Sequence, residues 1–365
     1  MNGPQIVYSF LIALFGSTVA GLIIVKTAKL HGRFTLDKTS GAIHKFHNVP
    51  VPRVGGIAVF FGLTIGSLYF GLDSDQRIGL GYWAGIAVLP LFLGGLAEDL
   101  FKSITPRVRL LLAFISATVA FFQLDVQIVR LSIPAVDYLL NNYPQFSLLV
   151  TVIMVAGVSH ATNIIDGFHG LLLGTAIITL SVFLLVAIAY DHPLLIAYLA
   201  ITLGACVGLF LLNFPLGKIF LGDSGAYLIG FLLAIFSILL VNYLAEISPW
   251  FPLTVLSYPI TETLFSVYRK SILKSRSPMK PDRAHLHMLV YRALRNYSIF
   301  YPANIRNPAT TIVILILTAW PALFALNYPS STLPLALTFI IFVLFYLILY
   351  KFLLLPRSHQ RITLP

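Results

Sequence analysis

The chain is poor in charge, poorer still in acid, and nearly without cysteine. Asp, Glu, Lys and Arg make up 10% of its 365 residues, with 13 acids against 24 Lys and Arg and a single cysteine, Cys206. One cysteine makes no internal disulfide, which excludes a stapled secreted scaffold; within its apolar run Cys206 reads as a small buried hydrophobe. A soluble domain carries roughly 25% charged residues, so this chain cannot coat a water-exposed surface around its 58% hydrophobic content. Its mean hydropathy is +0.90 and its net charge +11. The composition is that of an integral membrane protein. It excludes a disordered tail and a nucleic-acid binder, because the basic excess has to be explained within a membrane setting. A Ser-His-Asp order, a Walker loop and a Cys-rich zinc pattern are also missing.

What the chain does have is long apolar runs. A helical span needs about 20 mostly apolar residues, and eleven such runs lie at 5–25, 55–71, 80–97, 108–124, 147–162, 171–190, 194–213, 226–245, 251–268, 309–328 and 332–355. No repeated period-two alternation suggests a β-barrel. The runs predict an all-α polytopic protein, a single transmembrane catalytic domain over 1–365 with a long cytoplasmic loop at 269–307. The first run has no basic residue before it and meets its first charge at Lys26, so it is expected to remain as a helix. Cytoplasmic loops retain Lys and Arg. With the N-terminus outside, 22 of the 24 fall on inside segments, leaving only Arg77 and Arg130 outside. This predicts N-out/C-in. Of the acids, only Glu262 lies within a span, while Asp37, Glu98, Asp99, Asp166, Asp223 and Asp282 fall inside.

Five inside segments carry unusual residues. The first holds His44-Lys45-Phe46-His47 and then Pro52-Arg53-Val54-Gly55-Gly56, basic groups before a glycine pair that admits close backbone approach. The second, Gly94-Gly95-Leu96-Ala97-Glu98-Asp99-Leu100-Phe101-Lys102, sets two carboxylates at a helix end with an ammonium one turn further on. Hard oxygens suit Mg²⁺ and the ammonium suits phosphoryl oxygens; an exposed helix-end charge cluster is the plainer alternative. In the third, Asn163 and Asp166 stand three apart, on one face if the helix continues through them, before Gly167-Phe168-His169-Gly170 turns the chain. The fourth, Phe220-Leu221-Gly222-Asp223-Ser224-Gly225, can offer an Asp to a metal, backbone N–H groups to a phosphate and Phe220 as a stacking surface for a base. The fifth is the basic loop, with Lys280, Asp282, Arg283, His285 and His287 near its centre. A spacing of two puts both histidines on one side only of an extended segment, which argues against zinc from this pair alone and for phosphate contacts beside Arg283. For Tyr291 to Arg306 an amphipathic helix lying on the membrane is the alternative. Together these loops point to Mg²⁺-dependent phosphoryl chemistry on a diphosphate whose other partner is dissolved in the bilayer.

In this order the motifs resemble the polyprenyl-phosphate N-acetylhexosamine-1-phosphate transferase superfamily, glycosyltransferase family 4. The resemblance runs from about Lys45 to Arg292: Pro-Arg-x-Gly-Gly, an acidic pair plus Lys, Asn-x-x-Asp-Gly, Phe-x-Gly-Asp-x-Gly and a late His-x-His. The eleven spans are similar to the GlcNAc-1-phosphate branch rather than the phospho-MurNAc-pentapeptide translocase branch. The resemblance implies transfer of a sugar-1-phosphate from a UDP-N-acetylhexosamine to undecaprenyl phosphate at the inner membrane of a bacterium, with release of UMP. It implies Asp223 as central Mg²⁺ ligand (Mn²⁺ as a substitute), Asn163 and Asp166 holding metal or donor, and Phe220 stacking on uracil. Lys102, His285 and His287 would contact phosphates with Arg283 nearby, Lys45 and Arg53 would bind substrate, and Glu98 and Asp99 would orient the acceptor or take its residual proton. A phosphate monoester has its second pKa near 6, so the acceptor is already mostly dianionic and needs no strong general base.

Two positions depart from the family pattern: Glu98 stands where an Asp is usual, and His169 where a second Asp is frequent. Glu98 lengthens the carboxylate by one methylene, and His169 removes a fixed negative charge, which points to a modified N-acetylhexosamine of O-antigen or exopolysaccharide synthesis. The competing reading is a multispanning secondary transporter. Such proteins carry their sites near the bilayer midplane, where only Glu262 is a candidate. A purely structural membrane subunit leaves five motif-bearing inward loops without a reason.

Overall fold

The computed structural model describes residues 3–37, 50–72, 75–273, 284–300 and 302–354, with the backbone alone for 75–83 and 273. The helices in chain order are α1 (Gly3–Lys26), α2 (Ala28–Thr35), α3 (Gly55–Gly71), α4 (Asp75–Phe101), α5 (Pro106–Gln123), α6 (Pro134–Asn142), α7 (Pro144–Ile165), α8 (Leu171–Ala189), α9 (Pro193–Asn213), α10 (Gly222–Tyr243), α11 (Trp250–Val255), α12 (Ser257–Tyr268), α13 (Leu286–Leu294), α14 (Ala303–Asn327) and α15 (Thr332–Leu354). Two residues of β1 (Leu36–Asp37) pair antiparallel with β2 (Val51–Pro52).

Among the described residues nine helices are long and apolar enough to cross a membrane. All eleven apolar runs coincide with helices once two shorter pieces are added. α3 has 17 residues, and the run 251–268 is broken at Leu256 into α11 and α12, so that it crosses as two half-helices rather than one rod. The protein is an all-helical, multi-pass membrane protein. Its helix starts are encoded locally. Proline, whose missing N–H costs nothing at the first helical position, opens α5, α6, α7 and α9, and Thr105 Oγ1 accepts from Val108 N at the head of α5.

At the centre stands α10, buried almost all round and packed on α7, α4 and α3. A helix apolar on every face belongs in the interior. Around this core, α1 packs on α9 and α3, and α8 on α9 and α14. The amphipathic helix expected over 291–306 lies instead at α13, and Leu286, Met288, Leu289, Val290 and Tyr291 bury its apolar side against α14 and α15. That face is used inside the protein, and the chain turns into α14 after Pro302.

Candidate active site

The heads of α3 and α10 meet the tail of α4 at one end of the bundle. The meeting needs small residues. A Cβ on Gly56 would come to 2.7 Å from Gly225 Cα, and one on Gly95 to 2.7 Å from the backbone of Ser224. Gly55 N donates to Phe220 O and Gly56 N to Leu221 O, so the Pro-Arg-x-Gly-Gly segment is laced directly to the Phe-x-Gly-Asp-x-Gly segment.

This close packing lets Asp99, at the end of α4, reach beneath the first turn of α10. Its Oδ1 accepts from Asp223 N at 2.8 Å, and its Oδ2 from Ser224 N at 2.9 Å and Ser224 Oγ at 2.7 Å. A helix start leaves its first N–H groups without partners, and here a carboxylate from another helix supplies them. The negative charge also complements the positive end of the α10 dipole. Glu98, the adjacent residue, faces elsewhere because neighbours on a helix do not share a face. Its Oε2 accepts from Ile104 N at 2.8 Å and ties down the turn into α5. The acidic pair therefore divides between two tasks.

Asp223 follows from the same geometry. It is nearly buried, and one carboxylate oxygen accepts from Arg53 Nη2 and the other from Arg109 Nη1. Arg53 Nε lies 3.5 Å from Asp99 Oδ1, so one guanidinium links both carboxylates. Arg109 counted in the sequence only toward topology; no spacing rule singles out a cation ten residues beyond Asp99 as the partner of Asp223.

Asn163 and Asp166 close α7 on the same side of the molecule. Burial pushes the Asp166 carboxyl up to about 7; the charge of Arg53 opposes this, while Asp223 and Asp99 add to it. His287 approaches the turn that follows, with Nε2 3.1 Å from the place a Cβ on Gly167 would take. His285 and His287 stack 5.3 Å apart, 11° from parallel, although the segment is not the extended one on which a spacing of two shares a side: His285 leads into α13 and His287 stands in its first turn. Phe220 lies against His169, ring centroids 5.4 Å apart. His169 is fixed through its backbone, N to Asn307 Oδ1 at 3.0 Å and O to Thr311 Oγ1 at 2.7 Å, and through Nδ1 to Pro215 O at 3.2 Å. Lys102 sits at the end of α4 with a left-handed backbone, φ 55°. Lys45 and Arg283 lie outside the described residues.

The donor set has the chemistry of a hard-cation site. Asn163, Asp166 and Asp223 offer oxygens, and the Asp166 carboxyl is raised chiefly because it is buried. Among the described residues no three His, Cys, Asp or Glu side chains converge as a ready cage. Mg²⁺ takes one or two carboxylates and fills its remaining positions with water and substrate phosphates. Asp223 would serve it only by giving up an arginine partner.

A multi-pass membrane protein with carboxylates, an amide, arginines and histidines gathered at one end of its bundle defines a class that handles phosphorylated substrates at a membrane surface. The chain belongs to glycosyl transferase family 4, whose description matches residues 82–241. It is 25% identical over 88% of its length, and 88% of the relative's, to the probable undecaprenyl-phosphate N-acetylglucosaminyl 1-phosphate transferase of Bacillus subtilis strain 168. It is 30% identical to the phospho-N-acetylmuramoyl-pentapeptide-transferase of Oceanobacillus iheyensis, covering 68% of this chain and 79% of that protein. To the undecaprenyl-phosphate alpha-N-acetylglucosaminyl 1-phosphate transferase of Escherichia coli K12 it is 28% identical, over 78% of this chain and 76% of the other.

Proposed function

We propose that this chain transfers an N-acetylhexosamine-1-phosphate from a UDP-sugar to undecaprenyl phosphate on the cytoplasmic face of a bacterial inner membrane. UMP is released, and an envelope glycan such as O-antigen or exopolysaccharide is begun. The observation that carries the reading is the convergence of five separate loops on one site. Arg53, Asp99, Arg109 and Asp223 form one paired cluster; Asp166 feels the charge of three of them; and His287 meets the Asp166-Gly167 turn. The names of the relatives, each acting with a lipid phosphate or a phosphosugar, point the same way.

In this reading an acceptor phosphate oxygen attacks the β-phosphorus of the UDP-sugar, and the bond from that phosphorus to the bridging oxygen breaks, leaving UMP. Asp223, Asp166 and Asn163 would hold Mg²⁺ or Mn²⁺, which supplies charge neutralisation on the diphosphate. Arg53 and Arg109 bind the diphosphate as Asp223 releases them, since a guanidinium fork matches phosphate as well as carboxylate. Lys102, His285 and His287 would contact the phosphates, Lys45 and Arg283 are proposed from the sequence alone as further substrate-binding residues, and Phe220 would stack on the base. The largest part of the rate then comes from alignment and electrostatics rather than from a base.

The test is a panel of radiolabelled UDP-sugars with undecaprenyl phosphate and purified protein. A lipid-linked product and UMP from one or more N-acetylhexosamine donors, abolished by chelation and restored by Mg²⁺, are expected. Substrate uptake by proteoliposomes with no UMP from any donor would overturn the reading in favour of a transporter. Near-normal UMP release by Asp223→Asn at saturating Mg²⁺ would remove Asp223 from the metal site.

A further inference from the structure

Glu262 is an acid placed inside a span, about 9 Å before the end of α12 at 1.5 Å per residue, and it is wholly buried. An ionisable residue at such depth is costly and is kept by partners or by function. Both of its oxygens are engaged. His285 Nδ1 lies 2.9 Å from Oε1, and Leu286 N donates to Oε2 at 3.0 Å. His285 is the residue that leads into α13, with an extended backbone and no capping bond from its own side chain. Glu262 thus caps α13 from another helix and grips the histidine side chain in the same contact. One turn earlier on α12, the Tyr258 hydroxyl lies 3.1 Å from His287 Nδ1. Residues four apart on a helix share a face, so Tyr258 and Glu262 present two anchors to two histidines spaced by two. The carbonyl just before them, Ala284 O, is held by the Tyr350 hydroxyl of α15 at 2.8 Å.

We propose that Glu262 is a positioning residue for phosphate binding by His285. This rests on the transferase reading above. An ionised carboxylate only accepts, so Nδ1 of His285 carries a proton, and because a phosphate oxygen also only accepts, the ring must carry a second proton on Nε2 when it binds one. The hydrogen bond at one ring nitrogen decides what the other can do. The two imidazoles are stacked nearly parallel with both Nδ1 atoms held by α12. Their Nε2 atoms therefore face away from the span, and that of His287 abuts the Asp166-Gly167 turn. The buried acid orients His285, and Tyr258 beside it holds His287.

Glu262→Gln keeps the shape and loses one acceptor. Its amide N–H₂ must face either Leu286 N–H, leaving α13 uncapped, or His285 Nδ1, which displaces the proton there and leaves an uncharged ring against the phosphate. Turnover is expected to fall about 10- to 100-fold, the range seen when a carboxylate that orients a functional histidine is removed, with kcat rather than KM for the UDP-sugar carrying the loss. His285→Asn retains an N–H for Glu262 while deleting the outward nitrogen, and the double variant Glu262→Gln/His285→Asn should be no slower than His285→Asn alone. Independently of turnover, ¹⁵N-histidine spectra of the wild-type protein, with His285 assigned by its loss in His285→Asn, should show Nδ1 protonated. Undiminished turnover in Glu262→Gln, losses that multiply in the double variant, or a His285 Nδ1 without a proton in the wild type would each overturn the proposal. A wild-type chain inactive on every UDP-sugar would count against the transfer reaction, while the spectrum, which needs no turnover, would still decide whether Glu262 holds His285.

Discussion

Asp99→Asn separates a capping acid from a reacting one. In the wild-type protein Asp99 accepts three hydrogen bonds from the first turn of α10 and lies 3.5 Å from the Arg53 Nε. Asparagine keeps one oxygen, enough for Asp223 N, and puts an amide donor where Oδ2 had accepted. The Ser224 hydroxyl can turn to accept from that amide, but Ser224 N–H cannot, and a buried donor left without a partner costs about 1–3 kcal/mol. Loss of the charge at the α10 N-terminus adds about 0.3–1 kcal/mol. The expected destabilisation is therefore about 1.5–4 kcal/mol, read as the shift in an unfolding titration in mixed micelles, and UMP release falls with it because Asp223 begins the same turn. Asp99→Ala strands both N–H groups and should cost more. An Asp99→Asn protein with an unchanged unfolding curve and abolished turnover would refute this reasoning, because it would make Asp99 a chemical participant and its contacts with α10 incidental.

Arg109→Ala leaves one oxygen of the nearly buried Asp223 without its guanidinium. Breaking one side of a buried pair costs about 3–5 kcal/mol, and the partial exposure of Arg109, 16% of its side chain, sets the expectation at the bottom of that range; equal unfolding curves for mutant and wild type would contradict it. Arg109→Lys, which keeps the charge and loses the fork, should fall between the two in both stability and UMP release. Gly56→Ala drives a methyl group into Ser224 and Gly225 and should cost about 1–3 kcal/mol as overpacking, with turnover reduced because the head of α10 shifts. As a control, Gly157→Ala meets no atom within 4 Å in the middle of α7 and should stabilise by about 0.5–1 kcal/mol.

The spans were readable because a bilayer imposes one coarse rule, a long apolar run, and the eleven runs obey it. The break at Leu256 had a local mark, since Ser257 follows it directly and Pro259 stands in the first turn of α12, where its missing N–H removes a bond that a continuous helix would make; an apolar run counted by length alone passes over it. The fate of the amphipathic stretch was hidden for a related reason. An apolar face says that something must cover it, and whether the cover is lipid or α14 and α15 is decided by tertiary packing.

The site divides along the same line between residue type and partner. Its loops stood out because polar residues are rare in this chain, so each motif was visible against an apolar background. What each side chain does there depends on direction. Glu98 and Asp99 are neighbours in sequence and read as one acidic pair, yet the helix turns them to different partners, and the extra methylene of Glu98 serves a reach of six residues to Ile104 N. Asp99 is spent on the head of α10. In the proposed reaction the carboxyl groups left for a ligand would be Asp223 and Asp166, residues that lie on separate turns of the sequence. Only the close approach of Gly56 and Gly95 to α10 makes one site of the cluster around Asp223, because without it Asp99 would not reach α10 and Arg53 would not bridge Asp99 to Asp223.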